Sequence, residues 1–265
     1  MGFLTELVTE LRLDLAAHPL DRVGLGTAAD GQPAARDVAA ALGEAAGTDG
    51  VALIAEVKRA SPSAGSIVAD ADPVAQARAY DAAGASVVSV LTEPTHFGGS
   101  LDDLRAVRAA VDLPVLRKDF LIDTTQVLQS RAAGADTVLL IAASVDDEAL
   151  TVLLAAARDL GMEPLVESHT DEDLDRVLAT DARIVGVNAR DLESLEVDVA
   201  GALERMRRIP SGRIAVFESG IRSRDDVARA VDAGASAILV GETLMRAGDP
   251  AAAARVLLGR EERTT

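Results

Sequence analysis

"DAAGASVVSVL" (81–91), "RAAGADTVLLI" (131–141) and "VDAGASAILVG" (231–241) are variants of one unit. Each ends an Ala-rich helical pattern, places a Gly where a helix C-terminus usually needs positive φ, and runs on into a short apolar strand. "DLGMEPLVES" (159–168) is a looser fourth copy. A helix-stop-strand unit that recurs marks a chain of alternating α and β elements. Short apolar runs supply eight strands, near 51–57, 86–91, 114–118, 136–141, 164–167, 183–188, 213–218 and 237–241. Helical patterns lie between them. One of these, "SLDDLRAVRAAV" (100–111), opens on Ser100 as an N-cap with Asp103 three residues on. Eight such strands predict an α/β chain folded as a (β/α)8 TIM barrel. A doubly wound sheet is the alternative. It usually has fewer strands and a Gly-rich first turn, and neither GxGxxG nor GxxxxGK[ST] occurs.

Residues 1–45 precede the barrel as an N-terminal helical extension. "FLTELVTELRLDLAAH" (3–18) is amphipathic and helical, "GLGTAADGQPAA" (24–35) reads as loop, and "ARDVAAALG" (35–43) reads as a second helix. The extension is too small for a core of its own. The 265 residues are therefore taken as one domain, with the barrel at 46–259 and a tail at 260–265.

Composition narrows the function. Acidic residues outnumber basic ones 43 to 26, for a net charge of −17. Such a surface repels nucleic acid and anionic membranes, and a phosphorylated ligand would need a local basic site or backbone donors. Cysteine is absent, so there is no disulfide or thiolate metal site. His18, His96 and His169 are scattered without metal-ligand spacing, and no metal is expected. No apolar run is long enough to span a membrane, and the first residues do not form a signal peptide. The expectation is a cytoplasmic protein. Oligomeric state is not written in the sequence, and a monomer is the default.

Strand side chains alternate between faces. In "VALIAEVK" (51–58), Ala52, Ile54, Glu56 and Lys58 share one face, apolar at the start of the strand and charged at its end. The pattern repeats: Leu116 leads to Lys118, Leu165 to Glu167, Ile184 and Gly186 to Asn188 and Arg190, and Val216 to Glu218. If these faces point inward, the charges converge at the C-terminal ends of the strands, where barrel enzymes place their chemistry. Any one of them alone could equally be a long side chain reaching water at a solvated rim. Convergence from five strands favours function, because burying several charges together is costly.

A second constellation follows the last two strands, in "FESGIRSRDD" (217–226) and "VGETLMRAG" (240–248). Gly220 and Gly241 let backbone N–H groups approach an anion, and a helix start after Gly241 adds its dipole. Alternatively, both glycines only make tight turns. Glu242 would repel a phosphate, so its side chain must turn away. "SPSAGSI" (61–67), made of turn residues, follows the first strand as a loop and could close over a ligand, with Ser61 and Pro62 against it. Phe97 and Phe120 lie just past strand ends, as core residues or as pocket walls.

Together these segments resemble the indole-3-glycerol phosphate synthase family. The resemblance runs from about residue 35 to 250. It is carried by "IAEVKRASPSAG", "LTEPTHFGGSLDDL", "PVLRKDF", "GADTVLLI", "PLVESH", "GVNARDLESLEVD", "ESGI" and "VGETLMR". Residues 1–34 lie outside it. Ala64 and Ala189 replace residues usual in the family, at positions taken to be near the mouth. The resemblance implies ring closure of 1-(2-carboxyphenylamino)-1-deoxyribulose 5-phosphate with loss of CO2 and water, without cofactor. It implies Lys118 as general acid, Glu167 as general base and Lys58 as a second cation. Glu56, Asn188, Arg190 and Glu218 would orient the substrate, and Ser219, Gly220, Gly241 and Glu242 would hold its phosphate. Phe97, Phe120, Leu139 and Leu192 would enclose its aromatic ring. The rivals are another phosphate-binding barrel, such as phosphoribosylanthranilate isomerase or the tryptophan synthase α subunit, and a barrel that binds without turnover. The latter would lack the acid or the base.

Overall fold

The computed structural model describes residues 2–260. Eight parallel strands close into a barrel: β1 (Ala52–Val57), β2 (Val87–Leu91), β3 (Val115–Lys118), β4 (Thr137–Ile141), β5 (Leu165–Ser168), β6 (Ile184–Asn188), β7 (Ile214–Glu218) and β8 (Ala237–Val240). Each pairs with its neighbours in sequence, and β1 pairs with β8 to complete the ring. The expected strands are all present within one or two residues at each end. The repeated glycines behave as the repeat requires: Gly84, Gly134, Gly161 and Gly234 have φ of 86°, 94°, 75° and 104°.

The alternation of faces sorts the core into two layers. Leu53, Ala55, Val88, Val138, Leu140, Val185, Phe217 and Ile238 point outward and pack under the surrounding helices. Ala52, Ile54, Val87, Leu116, Leu139, Leu165, Ile184, Val216 and Leu239 fill the barrel interior. The interior is thus aliphatic below, leaving the polar strand ends to gather above it.

The extension differs from its expected form. It holds three helices, α1 (Phe3–Ala17), α2 (Arg22–Asp30) and α3 (Val38–Asp49). Residues 24–35, expected as loop, are mostly helical. The Asp21 carboxylate caps α2 by accepting from the N–H groups of Val23 and Gly24, and the helix lies along α6 (Thr124–Ala132). Gly24 and Gly26 lower helix propensity, but tertiary packing overrides it. The last helix starts at Val38, behind an Asp37 cap, and runs six residues further than expected. Leu4, Leu7 and Val8 of α1 and Val38, Ala39 and Leu42 of α3 both join the interior cluster. α1 crosses the C-terminal mouth, where Phe3 and Leu4 donate backbone hydrogen bonds to the Glu193 and Leu192 carbonyls. α3 closes the opposite end. The intervening turn is fixed at the base by Asp136, fully buried. It accepts from the N–H groups of Arg36 (2.8 Å) and Val115 (2.9 Å) and pairs with Arg108 (2.9 Å). The extension is therefore a strap from the mouth to the base. Of the expected tail at 260–265, Arg260 bonds the carbonyls of Ala83 and Gly84, and 261–265 lie outside the described residues.

Ser100 caps its helix as expected, accepting from Asp103 N–H at 3.0 Å, but the Asp103 carboxylate pairs with Arg59 rather than closing a capping box. A full box forms at α10 (Arg224–Asp232), where Ser223 and Asp226 exchange bonds. Burial pulls the Asp226 pKa upward. The Arg222 N–H, the Arg229 guanidinium and Ser223 outweigh it and hold the group below its ordinary 3.8. A depressed carboxylate stabilises the fold above its unfolded pKa, and that contribution fades as pH falls through the folded value. Asp226→Ala is expected to cost about 1 kcal/mol in urea unfolding near neutral pH. The difference between variant and parent should shrink below pH about 3.8; a constant difference down to pH 3 would contradict the assignment.

Candidate active site

Strand alternation resolves the charge cluster in "PVLRKDF" (114–120). Lys118 points into the barrel, while Arg117 and Asp119 point out and pair with each other at 2.9 Å behind the wall. Arg117 also donates to Thr92, Gln129, Ser130 and the Gln126 carbonyl, and Thr92 donates to Asp119. These bonds tie the ends of β2 and β3 to α6, and so fix the backbone on either side of Lys118.

Inside, the Lys118 ammonium lies 2.8 Å from Glu218 Oε2 and 3.2 Å from Glu167 Oε2. Asn188 Nδ2 donates to the other Glu167 oxygen at 3.0 Å, and the Asn188 carbonyl oxygen Oδ1 accepts from Arg190 N–H at 2.9 Å. Lys58 pairs with Glu56 Oε1 at 2.8 Å. These are the only two lysines in the sequence. Burial alone would lower the Lys118 pKa; the charges of Glu218, Glu167 and Glu56 reverse that and raise it, so the ammonium is kept. Burial pushes Glu218 up to about 8, with Glu167 and Glu56 adding to the rise and Lys118 opposing it.

These groups form the floor of a cavity of about 490 Å³, within the usual range for a small-molecule site. Every residue given a site role from the sequence lines it: Lys118, Glu167 and Lys58; Glu56, Asn188, Arg190 and Glu218; Ser61 and Pro62; Phe97, Phe120, Leu139 and Leu192; and Ser219, Gly220, Gly241 and Glu242. The apolar residues make one wall, where the Phe97 and Phe120 rings lie 6.1 Å apart. The glycine loops make the other. Ser219 and Gly220 are both left-handed, with φ of 65° and 78°, a conformation rare for serine. The Glu242 carboxylate accepts from Arg246 Nε at 2.9 Å, so its charge is paired within the cavity lining.

Three expectations need correction. The helix after Gly241 is only Glu242–Met245, too short for a macrodipole to matter. Ala189 is fully buried in the outer layer and does not reach the cavity, and Ala64 does not line it either. "SPSAGSI" is not plain turn: residues 60–61 and 65–66 pair as a short antiparallel ribbon. His96 packs its ring against Phe3 at 5.1 Å, while His169 contacts the Asn188 carbonyl at 2.8 Å and Asp191 at 3.4 Å. Neither lines the cavity.

Sequence reasoning missed Phe3, Ser63, Arg222, Thr243 and Arg246 among the lining residues. Phe3 is the most telling, since its ring meets Phe120 at 6.4 Å and extends the aromatic wall from the extension. The signal was present in the apolar face of "FLTELV", but nothing local says where that face docks.

The family model for indole-3-glycerol phosphate synthase matches residues 4–257. The match therefore takes in residues 4–34, which the motif resemblance had left out. The chain is 48% identical to the indole-3-glycerol phosphate synthase of Mycobacterium avium over 94% of its length and 91% of that protein. It is 48% identical to that of Nocardioides sp. over 98% and 100%, and 49% identical to that of Kineococcus radiotolerans over 94% and 92%. Among solved structures, a 3-hexulose-6-phosphate synthase superposes with a TM-score of 0.63 at 22% identity, covering 79% of this chain and 99% of that one. A thiamine phosphate pyrophosphorylase from Pyrococcus furiosus superposes at 0.59 with 15% identity, covering 80% and 95%; these two likenesses concern the fold. With the family model spanning nearly its whole length and relatives near half identity along it, the chain belongs to the indole-3-glycerol phosphate synthase family.

Proposed function

We propose that this chain closes the indole ring of 1-(2-carboxyphenylamino)-1-deoxyribulose 5-phosphate, releasing CO2 and water. The observation that carries the reading is a buried ammonium, Lys118, held between two carboxylates on the floor of a cavity with an aromatic wall and an opposing glycine-loop wall. The substrate has the same division, an anthranilate ring at one end and a phosphate at the other.

The ring carbon is a weak nucleophile and the ketone a poor electrophile. Holding them in contact and supplying a proton to the developing alkoxide both lower the barrier. Lys118 gives that proton as the carbon–carbon bond forms. The bond to the carboxylate then breaks, its electron pair restores aromaticity, and CO2 leaves. Lys58 protonates the departing hydroxyl, which leaves as water, and Glu167 takes the carbon-bound proton whose loss completes the double bond. The 3.2 Å contact between Glu167 and Lys118 gives that proton a direct route back to the acid. Glu56, Asn188, Arg190 and Glu218 orient the substrate, while Ser219, Gly220, Gly241 and Glu242 hold the phosphate through backbone donors.

The purified chain, without added metal, is expected to convert this substrate into a product with indole fluorescence. No signal above a heat-inactivated control would overturn the reading.

A further inference from the structure

Gly186 lies in the middle of β6, buried, with no left-handed φ and no turn to make. Glycine in a strand interior weakens it, unless something must approach the backbone closely. Here the approaching group is Glu218. A Cβ built on Gly186 would lie 2.5 Å from Glu218 Oε1, 3.2 Å from Leu165 Cδ1 and 3.5 Å from the Glu167 Cα. The first of these distances leaves no room for any side chain unless the end of Glu218 moves. The other Glu218 oxygen is the one 2.8 Å from Lys118, so the carboxylate fills the whole space between the strand backbone and the ammonium. The arrangement has a counterpart on the next two strands of the ring, β8 and β1: a Cβ on Gly241 would lie 2.4 Å from Glu56 Oε1, the oxygen that pairs with Lys58 at 2.8 Å. Each of the two lysines thus has a carboxylate partner, and each carboxylate is seated in the space of a missing side chain.

We propose that Gly186 is a positioning residue, whose missing side chain seats the Glu218 carboxylate against Lys118. A methyl group there is accommodated by the softest neighbour. That neighbour is the tip of Glu218, because a side-chain end turns more easily than strand backbone moves. The cost therefore falls on the placement of the Lys118 ammonium rather than on folding. The effect on turnover rests on the reaction proposed above; the effect on placement does not.

The test pairs Gly186→Ala with Glu218→Ala in a double-mutant cycle, using two readouts. The first needs no substrate. Lysine labelled with 13C at Cε gives one NMR signal for each of the two lysines, assigned by Lys58→Arg. Gly186→Ala is expected to move the Lys118 signal, and to leave it unmoved in the Glu218→Ala background. The second is steady-state kinetics. Gly186→Ala is expected to lower kcat roughly ten- to hundredfold, as small misplacements of acting groups do, with KM changed less than about threefold, and to cost little further once Glu218 is gone. Failure of Gly186→Ala to fold, relieved by adding Glu218→Ala, would also support the proposal. An unmoved Lys118 signal, equal effects in both backgrounds, or a failure to fold in both would overturn it. If the signal moves as expected but the parent chain makes no indole product, the placement of Glu218 stands and the proposed reaction falls.

Discussion

Lys118→Met is expected to lower kcat by at least about a hundredfold, or about 2.7 kcal/mol of barrier, in a chain that remains folded. Methionine fills similar volume without a proton to give. It also leaves Glu167 and Glu218 without their shared cation, and breaking a buried pair in this way is usually severe. The penalty is softened because burial already pushes Glu218 up to about 8, so that it can take a proton and become neutral. Circular dichroism before and after substitution separates loss of chemistry from loss of fold. An effect confined to KM would remove Lys118 from the acid role and leave it as a binding group.

Glu167→Gln should be comparably harmful, at about a hundred- to thousandfold in kcat, and the two products should separate in time. The carboxylate accepts from two donors, Lys118 on one oxygen and Asn188 on the other. A glutamine amide turns its NH2 toward one of them. Asn188 cannot flip to compensate without losing the bond its Oδ1 accepts from Arg190 N–H. If Glu167 serves only the final dehydration, a single turnover of the variant releases CO2 at close to the parental rate while indole fluorescence lags. Equal slowing of both would place Glu167 before the loss of CO2 and contradict the proposed order.

The barrel was legible because its signals are local. A glycine after an Ala-rich run marks a helix end whatever lies elsewhere, and the period-two pattern of "VALIAEVK" says which residues share a face. Convergence of the strand-end charges then follows from closure alone. What was hidden depends on partners remote in sequence. α2 carries two glycines and is helical because it packs along α6, and Phe3 reaches the aromatic wall only because α1 docks beside Glu193. Gly186 could be placed on the inward face, but its reason is the position of a carboxylate 32 residues later in sequence, on the next strand.

The strap has a consequence for biosynthesis. Thr5 bonds to Glu193, 188 residues later in the chain. At a ribosomal rate of 5–20 residues per second, roughly 10–40 s separate the emergence of the two. The amphipathic α1 must wait for this partner, with its leucines uncovered, until six strands and the following loop have been translated. A helix made so long before its partner is thus among the last to dock, and nascent chains arrested before residue 193 should offer it to chaperones.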